Sequence, residues 1–116
     1  MARVHGIHEI VLKPGVSGEE FERFFTQEVL PVFHLPGLRF HLWKGDRGER
    51  SGQYAVVIEI ESVETRDRLF PAQDTMSKEA QQFADAQQGA LERWASLASV
   101  PDDGTTVYTD YVTVGG

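Results

Sequence analysis

The sequence contains no cysteine. Disulfides, thiolate metal sites and cysteine nucleophiles are therefore excluded. Nor does any apolar run approach the ~20 residues of a membrane-spanning helix, so no membrane partner is expected. The opening stretch Met-Ala-Arg-Val-His-Gly lacks the apolar centre of a signal peptide, and the cytoplasm is the expected location. Positive charge is in short supply: 11 Lys and Arg face 18 Asp and Glu, a net charge of −7. A nucleic acid would be repelled overall. Where basic residues do gather, at Lys44, Arg47 and Arg50, Asp46 and Glu49 interleave them. No nucleic-acid partner is expected. Gly-rich phosphate loops and dinucleotide fingerprints are missing too.

What is present suits one domain spanning 1–116, long enough to bury a core without staples. Residues 4–12 alternate as a strand, stopped by Lys13-Pro14-Gly15. Ser17, with Glu20 three residues on, forms a capping box. Phe21, Phe24, Phe25, Glu28 and Val29 then follow at helical spacing, predicting an amphipathic helix over 18–30. Pro31 ends or bends it. Period-two alternation predicts strands over 38–44 and 52–61, joined by a polar hairpin loop. A short helix over 62–70 stops at Pro71, and a longer one covers 77–97, with Phe83, Leu91, Trp94 and Leu97 on its apolar side. After the turn Pro101-Asp102-Asp103-Gly104 comes a last strand, 105–114.

The order β-α-β-β-α-β is the split βαβ pattern. It predicts an α+β, ferredoxin-like fold whose antiparallel sheet has strand order 4-1-3-2 and carries its helices on one face. That face presents Val4, His8, Ile10, Leu38, Phe40, Tyr54, Val56 and Ile60. The opposite face mixes Ile7, Val11, His41, Trp43, Val57, Val107 and Tyr111 with His5, Glu9, Arg39 and Glu59. A face left in water is normally more polar. A homodimer built sheet against sheet, a dimeric α+β barrel, is the expected partner arrangement.

Several short motifs resemble those of the stress-responsive dimeric α+β barrel family. They are His8-Glu9-Ile10-Val11-Leu12-Lys13, Glu61-Ser62-Val63-Glu64-Thr65 after a strand, Phe70-Pro71-Ala72 before the long helix, and Asp110-Tyr111 in the last strand. By element order the resemblance spans nearly the whole chain. It implies the same fold, shared by polyketide cyclases of the olivetolic-acid type, cofactor-free monooxygenases and haem-degrading enzymes. On the cyclase pattern His8 is the first-strand histidine facing the cavity, and Asp110 matches an aspartate near the carboxyl end. Glu28 takes the place of a first-helix tyrosine. Gln73 stands where the cyclases carry a second catalytic histidine, so the resemblance is incomplete at that base.

His8 lies in mid-strand on the apolar face, and a buried imidazole needs a partner. Strand four neighbours strand one, and Asp110 shares the helix-facing parity of Tyr108, so a His8–Asp110 pair is expected. A carboxylate there would orient the imidazole as a general base. The plain alternative is a structural pair beneath the helices. Tyr54, Tyr108 and Glu28 would form the polar end of a pocket walled by Phe24 and Phe25, which otherwise read as ordinary core. Tyr54 and Gln73 would donate hydrogen bonds to an oxyanion. His5 and His8, three apart on a strand, face opposite ways and cannot share a metal. His34 is placed to satisfy carbonyls at the end of the first helix. The long helix lacks an axial histidine for haem. Neither metal nor cofactor is expected.

The leading expectation is proton abstraction from a small apolar or aromatic carbonyl substrate, as in cyclisation or isomerisation. The alternatives are a cofactor-free monooxygenase and a non-catalytic ligand-binding or stress protein. An enclosed pocket of ~300 Å3 or more touching His8 separates them.

Overall fold

The computed structural model describes residues 3–72, 75–98 and 107–115. Gln73 and the turn 101–104 lie outside them. The elements are β1 (Val4–Glu9), α1 (Gly18–Phe24) running into a π turn (Phe25–Val29), β2 (Leu38–Lys44), β3 (Tyr54–Ile60), α2 (Val63–Leu69), α3 (Lys78–Ala86), α4 (Gln88–Leu97) and β4 (Val107–Val112). The sheet is antiparallel, ordered β2-β3-β1-β4. This is the ferredoxin-like α+β arrangement, with the strand order that the sequence predicts.

Three helices begin in the same way. An extended serine precedes each, and its hydroxyl accepts the amide N–H three residues on: Glu20 to Ser17, Thr65 to Ser62 and Ala80 to Ser77, each at 3.1 Å. Each bond satisfies one amide that a helix start leaves unpaired. The end of the first helix is held by His34, whose Nε2–H donates to the Pro31 carbonyl at 2.8 Å.

The first helix is not α-helical throughout. The Leu30 N–H bonds to the Phe25 carbonyl at 2.9 Å, five residues back instead of four. Thr26 adds its hydroxyl to the Glu22 carbonyl at 2.8 Å. The extra residue changes which side chains face inward. Regular spacing would align Glu28 with Phe21. In the observed turn Val29 is fully buried and Glu28 is exposed.

The long helix expected over 77–97 is two helices that break at Gln87 (φ −105, ψ 20). The Gln87 N–H is shared between the carbonyls of Phe83 and Ala84 at 3.1 and 3.2 Å, and Gly89, a poor helix former, follows in the first turn of α4. The break lets the two halves serve separate cores. Ala80 of α3 packs with Leu35 and Leu69, while Trp94 and Leu97 of α4 pack with Phe21, Phe24, Phe25, Val29 and Val56. Phe83 touches both clusters.

Register follows the period-two pattern. Val4, Gly6 and His8 pair with Ile60, Ile58 and Val56 on one side and with Val112, Asp110 and Tyr108 on the other. These even-numbered positions face the helices. Among the described residues, the strand side chains in the helix-packed core clusters are all even-numbered, and the odd-numbered face lies outside those clusters. Trp43 and Tyr111 there are 54% and 55% exposed, large for aromatic side chains, and Val11 just beyond β1 is similarly open.

Candidate functional site

His8 is the centre of the site. It sits one residue before the end of β1, which pairs on both sides, and is 3% exposed. The Trp94 indole of α4 lies nearly parallel to its ring, at 15° and 6.0 Å between centroids. Phe25 and Phe21 fix that indole from the first helix, with edge contacts at 5.5 and 6.4 Å. The Trp94 Nε1–H is buried and has no hydrogen-bond partner among the described residues. Buried donors are ordinarily paired, so an orphaned one beside a buried histidine is unusual.

On its other side His8 meets Tyr108, ring edge to face at 6.4 Å. Tyr108 is its cross-strand partner, and Asp110 stands opposite Gly6. The expected parity of Asp110 is therefore correct, but the register sets it one step along the sheet from His8. There its Oδ1 accepts the Tyr108 hydroxyl at 2.7 Å, and its Oδ2 lies 3.6 Å from Arg66 Nη1 of α2. The ring edge of Tyr108 is open, while its hydroxyl is tucked against β1. Burial, then the bond to Asp110, pushes the phenol far above its ordinary range. It stays protonated and donates.

Gly6 permits this arrangement. A Cβ added there would overlap the Tyr108 hydroxyl and come within 3.1 Å of Asp110 Oδ1. Sequence reasoning passed over Gly6, although it is the one side-chain-free position on the inward face of β1. Arg66 was missed because nothing in α2 marks it as the residue nearest β4. Trp94 was assigned to core packing, and core packing supplies no reason for its lone N–H.

Tyr54 belongs elsewhere. Its hydroxyl donates to the Glu22 carboxylate of α1, and the Lys44 ammonium lies 3.5 Å from that carboxylate and 5.8 Å above the Tyr54 ring. Gly18 allows the approach, since a Cβ there would stand 2.6 Å from the hydroxyl. Burial, and next the bond to Glu22, pushes the Tyr54 phenol up to about 12. The same bond is the largest cause of the lowered pKa of Glu22. Phe21 stands between this group and Trp94, at 5.9 Å from the Tyr54 ring and 6.4 Å from the indole.

Phe24 and Phe25 are buried, and Phe25 is the one that reaches Trp94. Glu28 faces outward into a cleft of about 300 Å3 between the first helix and α4, which Phe24 also lines. A second cleft of about 220 Å3 lies where Ile10, Val11 and Leu12 face Gly52, Gln53 and Tyr54. Neither reaches His8. Among the described residues, no three His, Asp or Glu side chains come together as a metal ligand set. No helix among them is long and apolar enough to cross a membrane.

Solved structures repeat the fold. A DABB family protein with a ferredoxin-like fold from Mesorhizobium loti superposes with a TM-score of 0.58 at 15% identity, over 99% of this chain and 100% of its own. A protein from Arabidopsis thaliana superposes with a TM-score of 0.57 at 16% identity, over 97% of each chain. No protein-family model matches the sequence, and no curated protein matches it. The chain shares a ferredoxin-like fold with these structures, and a fold of this kind hosts many chemistries.

Proposed function

We propose that the chain is a small-molecule enzyme of proton transfer, acting on an apolar or aromatic carbonyl compound with His8 as general base. The observation that carries this reading is the orphaned Trp94 N–H beside the buried imidazole. A substrate carbonyl reaching the indole edge would accept from that N–H, which requires the packing around the two buried rings to open, since neither cleft reaches them. His8 would take the proton from the adjacent carbon, and the C–H electron pair would move to the carbonyl oxygen as an enolate. The Trp94 N–H is the donor for that oxyanion, and Tyr108, whose single hydroxyl proton goes to Asp110, packs against the His8 ring beside it. The role of Asp110 changes from the one read in the sequence. Held by Arg66, it positions Tyr108. Gln73, the other donor suggested by the resemblance, keeps that role in this reading. The proton then returns to carbon or passes to a second site, giving isomerisation or ring closure.

A non-catalytic ligand-binding domain is the second reading. It is favoured by the position of the two clefts away from His8. Cofactor-free oxygen chemistry has no comparable support.

The functional unit proposed is a homodimer. The odd-numbered sheet face, with Trp43 and Tyr111 more than half exposed, is the surface to be covered, and a second copy of the same face matches it in composition.

A thermal-shift titration with 1-phenylbutane-1,3-dione, an aromatic β-diketone, tests the site. The melting temperature is expected to rise with concentration through mass action, and Trp94→Phe is expected to weaken that rise. No shift in the wild-type protein removes the proposed binding site.

A further inference from the structure

The larger cleft is not part of the His8 site. α1 supplies Glu20, Arg23 and Phe24, the π turn supplies Gln27 and Glu28, and α4 supplies Arg93. Four formal charges line it, two of each sign. None of the four forms an ion pair among the described residues, whereas Arg3, Arg50, Arg66 and Arg68 all do. Glu20 and Arg23 are three apart on one helix, a spacing that commonly lets opposite charges meet, yet they stay apart.

The π turn is the second observation. A regular helix would align Glu28 with the buried Phe21. The inserted residue swings it to the cleft and keeps Val29 in the core. Turns of this type are rare and gather at functional sites. The third is the lining, which beside the four charges is polar at Ser17 and Gln27, with Phe24 almost wholly buried behind it.

We propose that this cleft binds a free α-amino acid. The carboxylate lies between Arg23 and Arg93, and the ammonium between Glu20 and Glu28. A plain anion would meet two carboxylates, and a plain cation two guanidinium groups. An uncharged apolar ligand would desolvate all four charges without pairing them. A species carrying both signs on groups attached to one carbon pairs with every charge present. A volume of about 300 Å3 suits so small a ligand.

The test is calorimetric titration of the full chain with L-phenylalanine, 3-phenylpropionate and 2-phenylethylamine. Phenylalanine is expected to bind, and each half-molecule to bind at least about tenfold more weakly, since each lacks one charge-assisted contact. Arg23→Gln with Arg93→Gln is expected to weaken phenylalanine binding by at least about tenfold. His8→Ala is expected to leave it unchanged, which separates this cleft from the His8 site. All four charged side chains lie at the surface, and circular dichroism checks that the double variant is folded. The proposal is overturned by no heat of binding at ~10 mM phenylalanine, by equal affinity for 3-phenylpropionate, or by unchanged affinity in the folded double variant.

Discussion

The Tyr108 hydroxyl occupies the space in which a side chain at Gly6 would begin. β1 gives up one side chain on its inward face, and β4 fills the gap with a phenol that then reaches Asp110. Gly6→Ala should therefore act as an overpacking change. The expected loss of stability is about 1–3 kcal/mol, read from urea denaturation. An unchanged midpoint would mean that the Tyr108 hydroxyl does not lie over Gly6.

The π turn makes an opposite pair of expectations at neighbouring residues. Val29→Ala truncates a fully buried side chain and should cost roughly 1–3 kcal/mol, a partial truncation on the scale of large-to-small core changes. Glu28→Ala should stay within about 0.5 kcal/mol, as exposed positions do. Denaturation of both variants decides the register. A costly Glu28→Ala beside a harmless Val29→Ala would indicate a regular α-helix.

Alkaline stability should depend on Tyr54. Its phenol titrates near 10 when unfolded and is raised to about 12 in the fold. A raised value means that the native state holds the proton longer. Stability is then full below pH 10 and is lost as the pH climbs toward 12. Tyr54→Phe should shrink the fall in urea midpoint between about pH 8 and about pH 11, with Tyr108 contributing in the same direction. Glu22 works at the other end. Its lowered value gives stability that is lost as the pH falls through its folded value, so Glu22→Gln should flatten the acid limb. Equal alkaline losses in wild type and Tyr54→Phe would contradict the buried phenol.

The exposed sheet face predicts self-association. Sedimentation equilibrium should give twice the chain mass of 13.0 kDa. Trp43→Glu, which places a charge on the face where Trp43 is 54% exposed, should return it to the single-chain value. A wild-type protein that sediments at the single-chain mass would remove the dimer.

Much of this fold was legible because its signals are local. Period-two alternation marked the strands, and 38–44 carries through as β2 unchanged. Ser17 announced a helix start that the hydroxyl geometry repeats. The missed features depend on contacts between distant segments. Parity identifies the face of Asp110, yet a slide of β4 by two residues leaves the alternation intact. Only the paired register sets Asp110 opposite Gly6 and Tyr108 opposite His8. The break at Gln87 depends on two separate core clusters, and the π turn on a choice between Glu28 and Val29 that helical spacing leaves nearly even. His8 could be chosen from its strand position and its resemblance to a family motif. Its neighbour Trp94 could not, because it comes from a distant part of the chain, and the same holds for Arg66 beside Asp110.

Hydrogen–deuterium exchange at the central carbon of 1-phenylbutane-1,3-dione, followed by proton NMR in deuterated buffer, tests the role of His8 most directly. The expected result is exchange faster than in buffer alone, falling by about 10²–10⁴-fold in a folded His8→Ala variant and less in Tyr108→Phe, which removes only the hydroxyl bonded to Asp110. Exchange at the buffer rate with wild-type protein, or at the wild-type rate in His8→Ala, would contradict a general base at His8.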